Sequence, residues 1–391
     1  MTFNEDKLSD YNLVTTDPIY LDNNATTPVL PEVVDAMLPY LREHFGNPSS
    51  THVYGRRTRA AVEQARGQVA SLLGCDPDEI IFTSGGTEAN NLAIRGIAAR
   101  SSRRSIVTSA IEHPGTAHPV DWLAQQGWEV HRVGVDAEGR ARVAEIEAAT
   151  TPSTALVTIL HSNGETGVLQ PIEHVVRCAR LVNAFVHTDA AQSVGKVSVD
   201  VRKLGVDLLS VAGQKLYAPK GIGALYVRRG LALEPLIRGA GHERGLRAGT
   251  ENVAAIVALG SACAIAQRDL DIEMARVRAL RDGLWVRLAQ AIPDVALNGH
   301  PTERLPNTLN VRFPRVSGAA LLAMTPDVAA STGSACHEGS EKASSVLLAM
   351  HIPEREALGS VRLSLGRGTS AEGIDRAATA LIRAWRELSR T

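Results

Sequence analysis

The chain has 391 residues, with 41 Lys and Arg against 42 Asp and Glu, so its formal charge is −1. Near-neutrality excludes bulk attraction to nucleic acid or to an anionic membrane as its main business, and 44% hydrophobic with 21% charged residues excludes a disordered polyelectrolyte. The length exceeds what one small core needs and predicts two domains, while only 4% aromatic residues argues against a stacking platform for single-stranded nucleic acid.

The start, MTFNEDKLSD, has no basic stretch followed by an apolar run, which predicts no secretory signal and a polar arm over residues 1–20. Residues 29–42 read as a helix with Pro31 in its first turn. Seven apolar runs follow, at 80–83, 105–109, 129–135, 155–161, 185–188, 207–211 and 224–227. Amphipathic stretches at 89–100, 114–126 and 171–183 separate several of them. This alternation predicts an α/β fold with a mainly parallel seven-stranded sheet covered on both faces. Ligands of such sheets sit beyond the carboxyl ends of the strands.

The run 253–266 is interrupted by Gly260 and Ser261, is too short to span a bilayer and reads as a buried helix. A charged helix is expected over about 269–291, strands at 308–312 and 360–364, and a last helix at 371–388. The expected division is therefore a large domain over 21–265 and a smaller α+β C-terminal domain over 266–391. Four cysteines in a chain this long are no disulfide framework and predict reduced thiols in the cytoplasm.

Three motifs fall at strand ends. Ser84, Gly85, Gly86 and Thr87 lie between a strand and a helix, where backbone amides and the helix dipole make an anion site. The string is neither GxGxxG nor GxxxxGK[ST], and taken alone it reads equally as a tight turn. Asp189 ends the run FVHTD, as a site acid or as an ordinary cap, with Gln192 three residues on. Lys215 follows an apolar run beside Gly213, Gln214 and Pro219. There it is either a desolvated amine able to act as a neutral nucleophile or a snorkelling surface lysine, with Lys220 as its nearest rival. A phosphate cradle, an acid and a lysine together are what pyridoxal 5'-phosphate (PLP) requires.

A fourth feature is Cys336, in the Ser- and Gly-rich string STGSACHEGSEKASS, whose composition predicts an exposed loop. His337 and Glu338 beside it find no second ligand cluster at a usual spacing, so no metal site is expected. Cys75, Cys178 and Cys263 read as structural.

These strings, with YLDNNATTPV, GNPSSTHVYG, GAGHERGLRAGT, LPNTLNV and VRLSLGR, resemble the cysteine desulfurases, in the class V branch of fold-type I PLP enzymes. The resemblance covers nearly the whole chain. It implies conversion of L-cysteine to L-alanine, with a persulfide on Cys336 that passes to a sulfur-acceptor protein. It also implies a cytoplasmic homodimer with no direct nucleic-acid or membrane partner. Lys215 would bind the cofactor aldehyde and Asp189 its pyridine nitrogen, with Gln192 near the phenolic oxygen. His113 would stack on the ring and move protons. Gly86 and Thr87 would hold the phosphate, and Thr250 would reach the partner subunit's phosphate. Gln214 would contact the cofactor, and Arg362 and Asn163 the substrate, the planar Arg362 fork suiting a carboxylate.

Two departures stand out. The family's S-G-H-K or A-G-H-K is Ala212, Gly213, Gln214, Lys215, which has no hydroxyl at 212 and no titrating ring at 214. The family's N-N-E-x-G is Asn163, Gly164, Glu165, Thr166, Gly167, without the second asparagine. Little chain follows the last predicted helix, so the longer tail with which housekeeping members dock an iron–sulfur scaffold is not part of the resemblance. Iron–sulfur cluster assembly, tRNA thiolation, DNA sulfur modification and cofactor synthesis all stay open as destinations. The alternatives are a selenocysteine lyase, an aminotransferase of the same class, or a non-catalytic scaffold. Retention of Lys215, Asp189, His113, Arg362 and Cys336 together argues against the last.

Overall fold

The computed structural model describes residues 17–332 and 342–390. Its strands in chain order are β1 (Ile19–Tyr20), β2 (Ile80–Thr83), β3 (Ser105–Ser109), β4 (Glu129–Val133), β5 (Thr154–Thr158) and β6 (Phe185–Asp189). Then come β7 (Leu208–Ala212), β8 (Gly223–Val227), β9 (Ala296–Leu297), β10 (Thr308–Arg312), β11 (Val328–Ala329) and β12 (Ser360–Ser364). The seven runs of the sequence form one sheet in the order β2-β8-β7-β6-β5-β3-β4. Only β8 runs against its neighbours in this sheet. The carboxyl ends of β2, β3, β5, β6 and β7 therefore emerge along one edge, where β8 begins.

Alternation along each strand feeds two cores. Ile80, Phe82, Val107, Val157, Leu209 and Val211 face one side. Ile81, Ile106, Leu156, Leu208 and Leu225 face the other. Successive side chains of a strand point to opposite faces, so runs apolar at every position need helices on both sides.

The C-terminal lobe is built on the antiparallel sheet β12-β10-β9, with its own cluster around Leu309, Val311, Phe313, Leu363 and Leu381. The first described residues belong to this lobe. Strand β1 pairs with β11, Leu21 is buried in the same cluster, and Asp22 bridges to Ser364. Of the expected N-terminal arm, residues 1–16 lie outside the described residues.

The structure differs from expectation over 253–291. In place of two helices there is one of 39 residues, Val253–Ala291. Gly260 does not break it because the glycine serves close packing. A Cβ there would lie 2.6 Å from the Ala65 Cα of helix Val53–Leu73, which the sequence reading did not identify. The first half of the long helix, through Leu259 and Cys263, packs in the large core, and Val277, Leu284 and Leu288 pack in the C-terminal one. The expected division at 265/266 thus falls inside a continuous helix, where its packing partners change. This helix is long and apolar enough to cross a membrane, but 56% of its apolar window is buried inside the fold.

A buried ion pair ties the segment before Thr250 to the sheet. Arg66 donates to both Glu243 oxygens at 2.8 Å and to the Ile80 carbonyl at 2.9 Å. Glu243 also accepts the Phe82 amide at 2.8 Å. Removing one partner of such a pair strands a buried charge. Glu243→Ala is therefore expected to cost about 3–5 kcal/mol of unfolding free energy in urea, and a double replacement by apolar residues to recover much of it.

Candidate active site

The site forms along the carboxyl edge of the large sheet. After β2, Gly85 has φ 153°, a conformation open to glycine, and the helix Gly86–Arg100 begins. The Ser84 amide is taken by Glu88 Oε2 at 2.8 Å, and the Ala89 amide bonds back to the Gly85 carbonyl at 3.1 Å. The amides of Gly86, Thr87 and Glu88 lie ahead of the helical ladder, the arrangement that receives an anion. A Cβ on Gly86 would meet the Ala212 Cβ at 3.2 Å and the Ala191 Cβ at 4.0 Å. The cradle thus sits against the ends of β7 and β6. Ala212, where the family's hydroxyl is missing, packs against it.

Asp189 closes β6 and is buried. Asn90, on the cradle's own helix, donates to Oδ2 at 2.7 Å, and the Ala191 amide donates to Oδ1 at 3.0 Å. These donors orient a carboxylate that keeps further lone pairs free. The sequence reading missed Asn90. Its place three residues after Thr87, on the same helix face, is the signal that points to it. Beneath Asp189, the ring of His187 is held between Thr158 Oγ1 at 2.8 Å and Ser210 Oγ at 3.0 Å. Burial lowers its pKa to about 4, so it stays neutral.

Lys215 ends the short turn Gly213–Lys215 after β7 and points inward. Its Nζ donates to the carbonyls of Asn24 at 2.7 Å and Ala25 at 2.5 Å. Burial lowers its pKa to about 8 and the Arg362 charge pushes the same way, against Asp22 and Asp189. The alternative of a snorkelling surface lysine is not what the fold builds, whereas Lys220 is exposed.

Gln192 Nε2 donates to the same Asn24 carbonyl at 2.9 Å. Lys196 Nζ donates to Gln192 Oε1 at 2.8 Å and to Asn24 Oδ1 at 3.3 Å. Asn24 Nδ2 donates to the Gly164 carbonyl at 3.1 Å and to Thr308 Oγ1 at 2.8 Å. Asn24 and Lys196 were not singled out from the sequence, where each sits unmarked inside a longer motif.

Arg362 lies within β12. Its Nη2 donates to Asp22 Oδ1 at 2.7 Å and its Nη1 to the Gly164 carbonyl at 3.2 Å, while Nε is buried with no partner among the described residues. An unpaired buried guanidinium N–H is a costly group that a carboxylate relieves.

His113 caps the helix Pro114–Gln125. Its Nδ1 accepts the Gly115 amide at 3.0 Å, so the neutral ring carries its proton on Nε2. A Cβ on Gly115 would lie 3.3 Å from Thr87 Oγ1 and 3.4 Å from Asn90 Nδ2, so the cap and the cradle are neighbours.

Asn163 behaves differently from expectation. Its Oδ1 accepts the amides of Glu165 at 2.9 Å and Thr166 at 3.0 Å, and its Nδ2 donates to the Ile111 carbonyl at 3.3 Å. The buried carboxamide holds its own loop rather than presenting free polar atoms to a ligand. Gln214 contributes its backbone carbonyl to Thr27, taking the amide at 2.9 Å and Oγ1 at 3.1 Å. Thr250 is exposed, and its neighbours Gly249 and Glu251 line a cleft with Thr83 and Ser84.

Cys336 lies outside the described residues. The chain on either side of that stretch reaches the site. Ser331 exchanges backbone hydrogen bonds with Arg362, at 2.6 and 3.3 Å, and Ser344 lies near enough to Glu165 to oppose the rise that burial imposes on its pKa. The three described cysteines are free thiols whose pKa values burial raises, that of Cys75 to about 12. Such thiols are poor nucleophiles.

The comparisons agree with this geometry. A family model described as aminotransferase class V matches residues 19–377. Cysteine desulfurase 2 of Trichormus variabilis is 49% identical over 361 residues, covering 92% of this chain and 90% of that protein. Cysteine desulfurase NifS of Azotobacter vinelandii is 45% identical over 362 residues, covering 92% and 90%. A solved NifS-like protein superposes with a TM-score of 0.88 at 35% identity, covering 96% of this chain and 100% of the other. These relatives favour the desulfurase over the lyase, aminotransferase and scaffold alternatives. The chain belongs to the class V aminotransferase family, among its PLP-dependent cysteine desulfurases.

Proposed function

We propose that this cysteine desulfurase works through Lys215, Asp189, His113, Arg362 and Cys336, in a cytoplasmic homodimer. The observation that carries the reading is the inward Lys215 amine, held on the Asn24 and Ala25 carbonyls within electrostatic reach of Asp189 and Arg362. The residues present fit PLP. The free amides of Gly86 and Thr87 suit the phosphate, Asp189 suits a protonated ring nitrogen, and Lys215 suits the aldehyde. When bound, PLP supplies an electron sink for negative charge developing at the substrate Cα.

In this reading the Arg362 fork holds the substrate carboxylate, using the buried Nε that finds no partner among the described residues. Asp22 and the Gly164 carbonyl keep the fork in place. The neutral Lys215 amine takes the Cα proton. Cys336, as thiolate, attacks the sulfur of the substrate. The S–S bond forms as the Cβ–S bond breaks, so cysteine and enzyme thiol become alanine and enzyme persulfide. His113, with its proton on Nε2, relays protons beside the cradle. The persulfide then passes to an acceptor protein. We place the lobe boundary near residue 266, inside the helix Val253–Ala291 and with Ile19–Leu21 on the smaller lobe's side, so that Arg362 and Cys336 belong to the smaller lobe and Lys215 to the large one. Gln192, Gln214 and Asn163 shape the same cavity, Asn163 by bracing its loop, and Thr250 serves the partner subunit's phosphate.

Three outcomes test this. Uptake of PLP by cofactor-free protein, followed by visible absorbance, is expected to rise with pH around a midpoint near 8 rather than 10.5, because the amine must be neutral to react; Lys215→Ala is expected to form no such band. Cys336→Ser is expected to keep the band and lose sulfide release from L-cysteine, so undiminished release would remove Cys336 from the reaction. Arg362→Ala loses a charged hydrogen bond worth about 1.5–3 kcal/mol, which is roughly a 10- to 150-fold rise in KM for cysteine. An unchanged KM would count against the clamp.

A further inference from the structure

Away from Lys215 and its neighbours, the fold brings together three side chains that the chemistry above does not use. His174 and Cys178 lie four residues apart on the helix Ile172–Leu181, so both project from one face. Glu147 comes from the helix Val143–Ala149, which packs beside it, Ile146 and Val175 entering the same core. Glu147 Oε1 and His174 Nε2 are 2.8 Å apart, and one ligand atom from each of the three residues lies within 4.8 Å of the other two. The Glu147 charge also acts on the Cys178 thiol, which puts the carboxylate on the sulfur's side of the helix. The linear chain hides the group, because Glu147 precedes His174 by 27 positions.

The three donors are graded in depth. Cys178 is buried, the His174 side chain is 25% exposed and that of Glu147 56%. A cation can therefore enter from solvent at the carboxylate and reach the thiol at the floor. Zinc bonds of about 2.0–2.3 Å hold tetrahedral ligands roughly 3.3–3.8 Å apart, so the two outer side chains have to shift by about 1 Å to close on the sulfur. Arg177 is exposed, and its Nη2 donates to His174 Nδ1 at 2.7 Å. An arginine only donates, so Nδ1 accepts and the neutral ring carries its proton on Nε2, aimed at Glu147. A metal takes the place of that proton; the ring proton moves to Nδ1 and Arg177 turns out to water. Arg177 thus competes with the metal. A thiolate and an imidazole do not suit magnesium or calcium, which take oxygen ligands, whereas Zn²⁺ accepts all three donor types. It binds sulfur as the thiolate and displaces the thiol proton.

We propose that Glu147, His174 and Cys178 form a zinc site, with water in the fourth position, that staples the helix Val143–Ala149 to the helix Ile172–Leu181. The site stands apart from the desulfurase reaction and does not depend on the roles given to Lys215 or Cys336. Its effect is on stability, because an ion held by the folded chain and not by the unfolded one raises the melting temperature in proportion to how far its concentration exceeds its dissociation constant.

The test is metal binding to the PLP-loaded Cys336→Ser protein, in which the thiol of the proposed reaction cannot compete. Cobalt(II) is the spectroscopic probe. One ion per chain is expected, with a thiolate-to-cobalt charge-transfer band read as a difference from the metal-free holoenzyme and abolished by an equivalent of Zn²⁺. Adding Cys178→Ser is expected to remove the band. His174→Ala, at a partly exposed position, is expected to weaken zinc binding by at least about tenfold, more than the loss of an outer-shell partner does. Should Cys178→Ser not fold, this second variant carries the test. Zinc is expected to raise the melting temperature of the parent and not that of His174→Ala, while Arg177→Ala binds zinc more tightly than the parent. No thiolate band, a band that survives Cys178→Ser, or equal zinc affinity and equal stabilisation with and without His174 would mean adventitious metal only, and would overturn the proposal.

Discussion

A single buried asparagine holds the two lobes together at the place where the chemistry occurs. Asn24 is 1% exposed and uses every polar group it has. Its amide donates to Ser364 Oγ, its Nδ2 to Gly164 and Thr308, and its Oδ1 accepts from Lys196 and Asn307. Its carbonyl accepts from Lys215 and Gln192. Thr308, Asn307 and Ser364 belong to the C-terminal lobe, whereas Lys215, Gln192 and Lys196 belong to the large one. A network satisfied this completely in a low-dielectric interior fixes relative position more sharply than apolar packing does, because each broken bond leaves a buried polar group unpaired. The distance between the lysine of one lobe and the arginine of the other is thus controlled from the segment around Asn24.

Around that point the protein concentrates positive charge. Lys196, Lys215 and Arg362 lie close enough to influence one another, with Asp22 and Asp189 as counter-charges. The excess suits a ligand that brings a carboxylate. It also keeps the reacting amine closer to its neutral form than a lysine in water. The Nε of Arg362, without a partner among the described residues, belongs to the same logic, since the fork is braced by Asp22 and Gly164 yet not filled by them. A guanidinium satisfied entirely by the protein has nothing left for a substrate.

The departures from the family pattern become intelligible in three dimensions. Gly164 leaves the room that Gln192 occupies, and its carbonyl serves Asn24 and Arg362 together. Ala212 lies against the glycine that opens the anion cradle. The change at 164 removes a polar side chain from the wall of the site, and the Gln192 amide lies against the glycine.

Much of this was legible in the linear chain. Strand–helix alternation identified the seven strands because side chains of period two and period 3.6 leave different apolar patterns. Asp189 and Lys215 were legible because each directly follows a buried strand, and the glycines before Thr87 because only a residue without Cβ suits that turn. The continuity of Val253–Ala291 was not legible, because Gly260 reads as a breaker until helix Val53–Leu73 is seen lying against it. Nor were Asn24, Asn90 and Lys196, whose partners lie as many as 340 positions away in the chain. The role of Asn163 shifted for the same reason, since only the folded loop reveals that its carboxamide is already engaged. Local sequence determined which groups stand at the edge of the sheet; contacts between distant segments decided how those groups are charged, oriented and held, because hydrogen bonds and electrostatic fields depend on distance in space rather than along the chain.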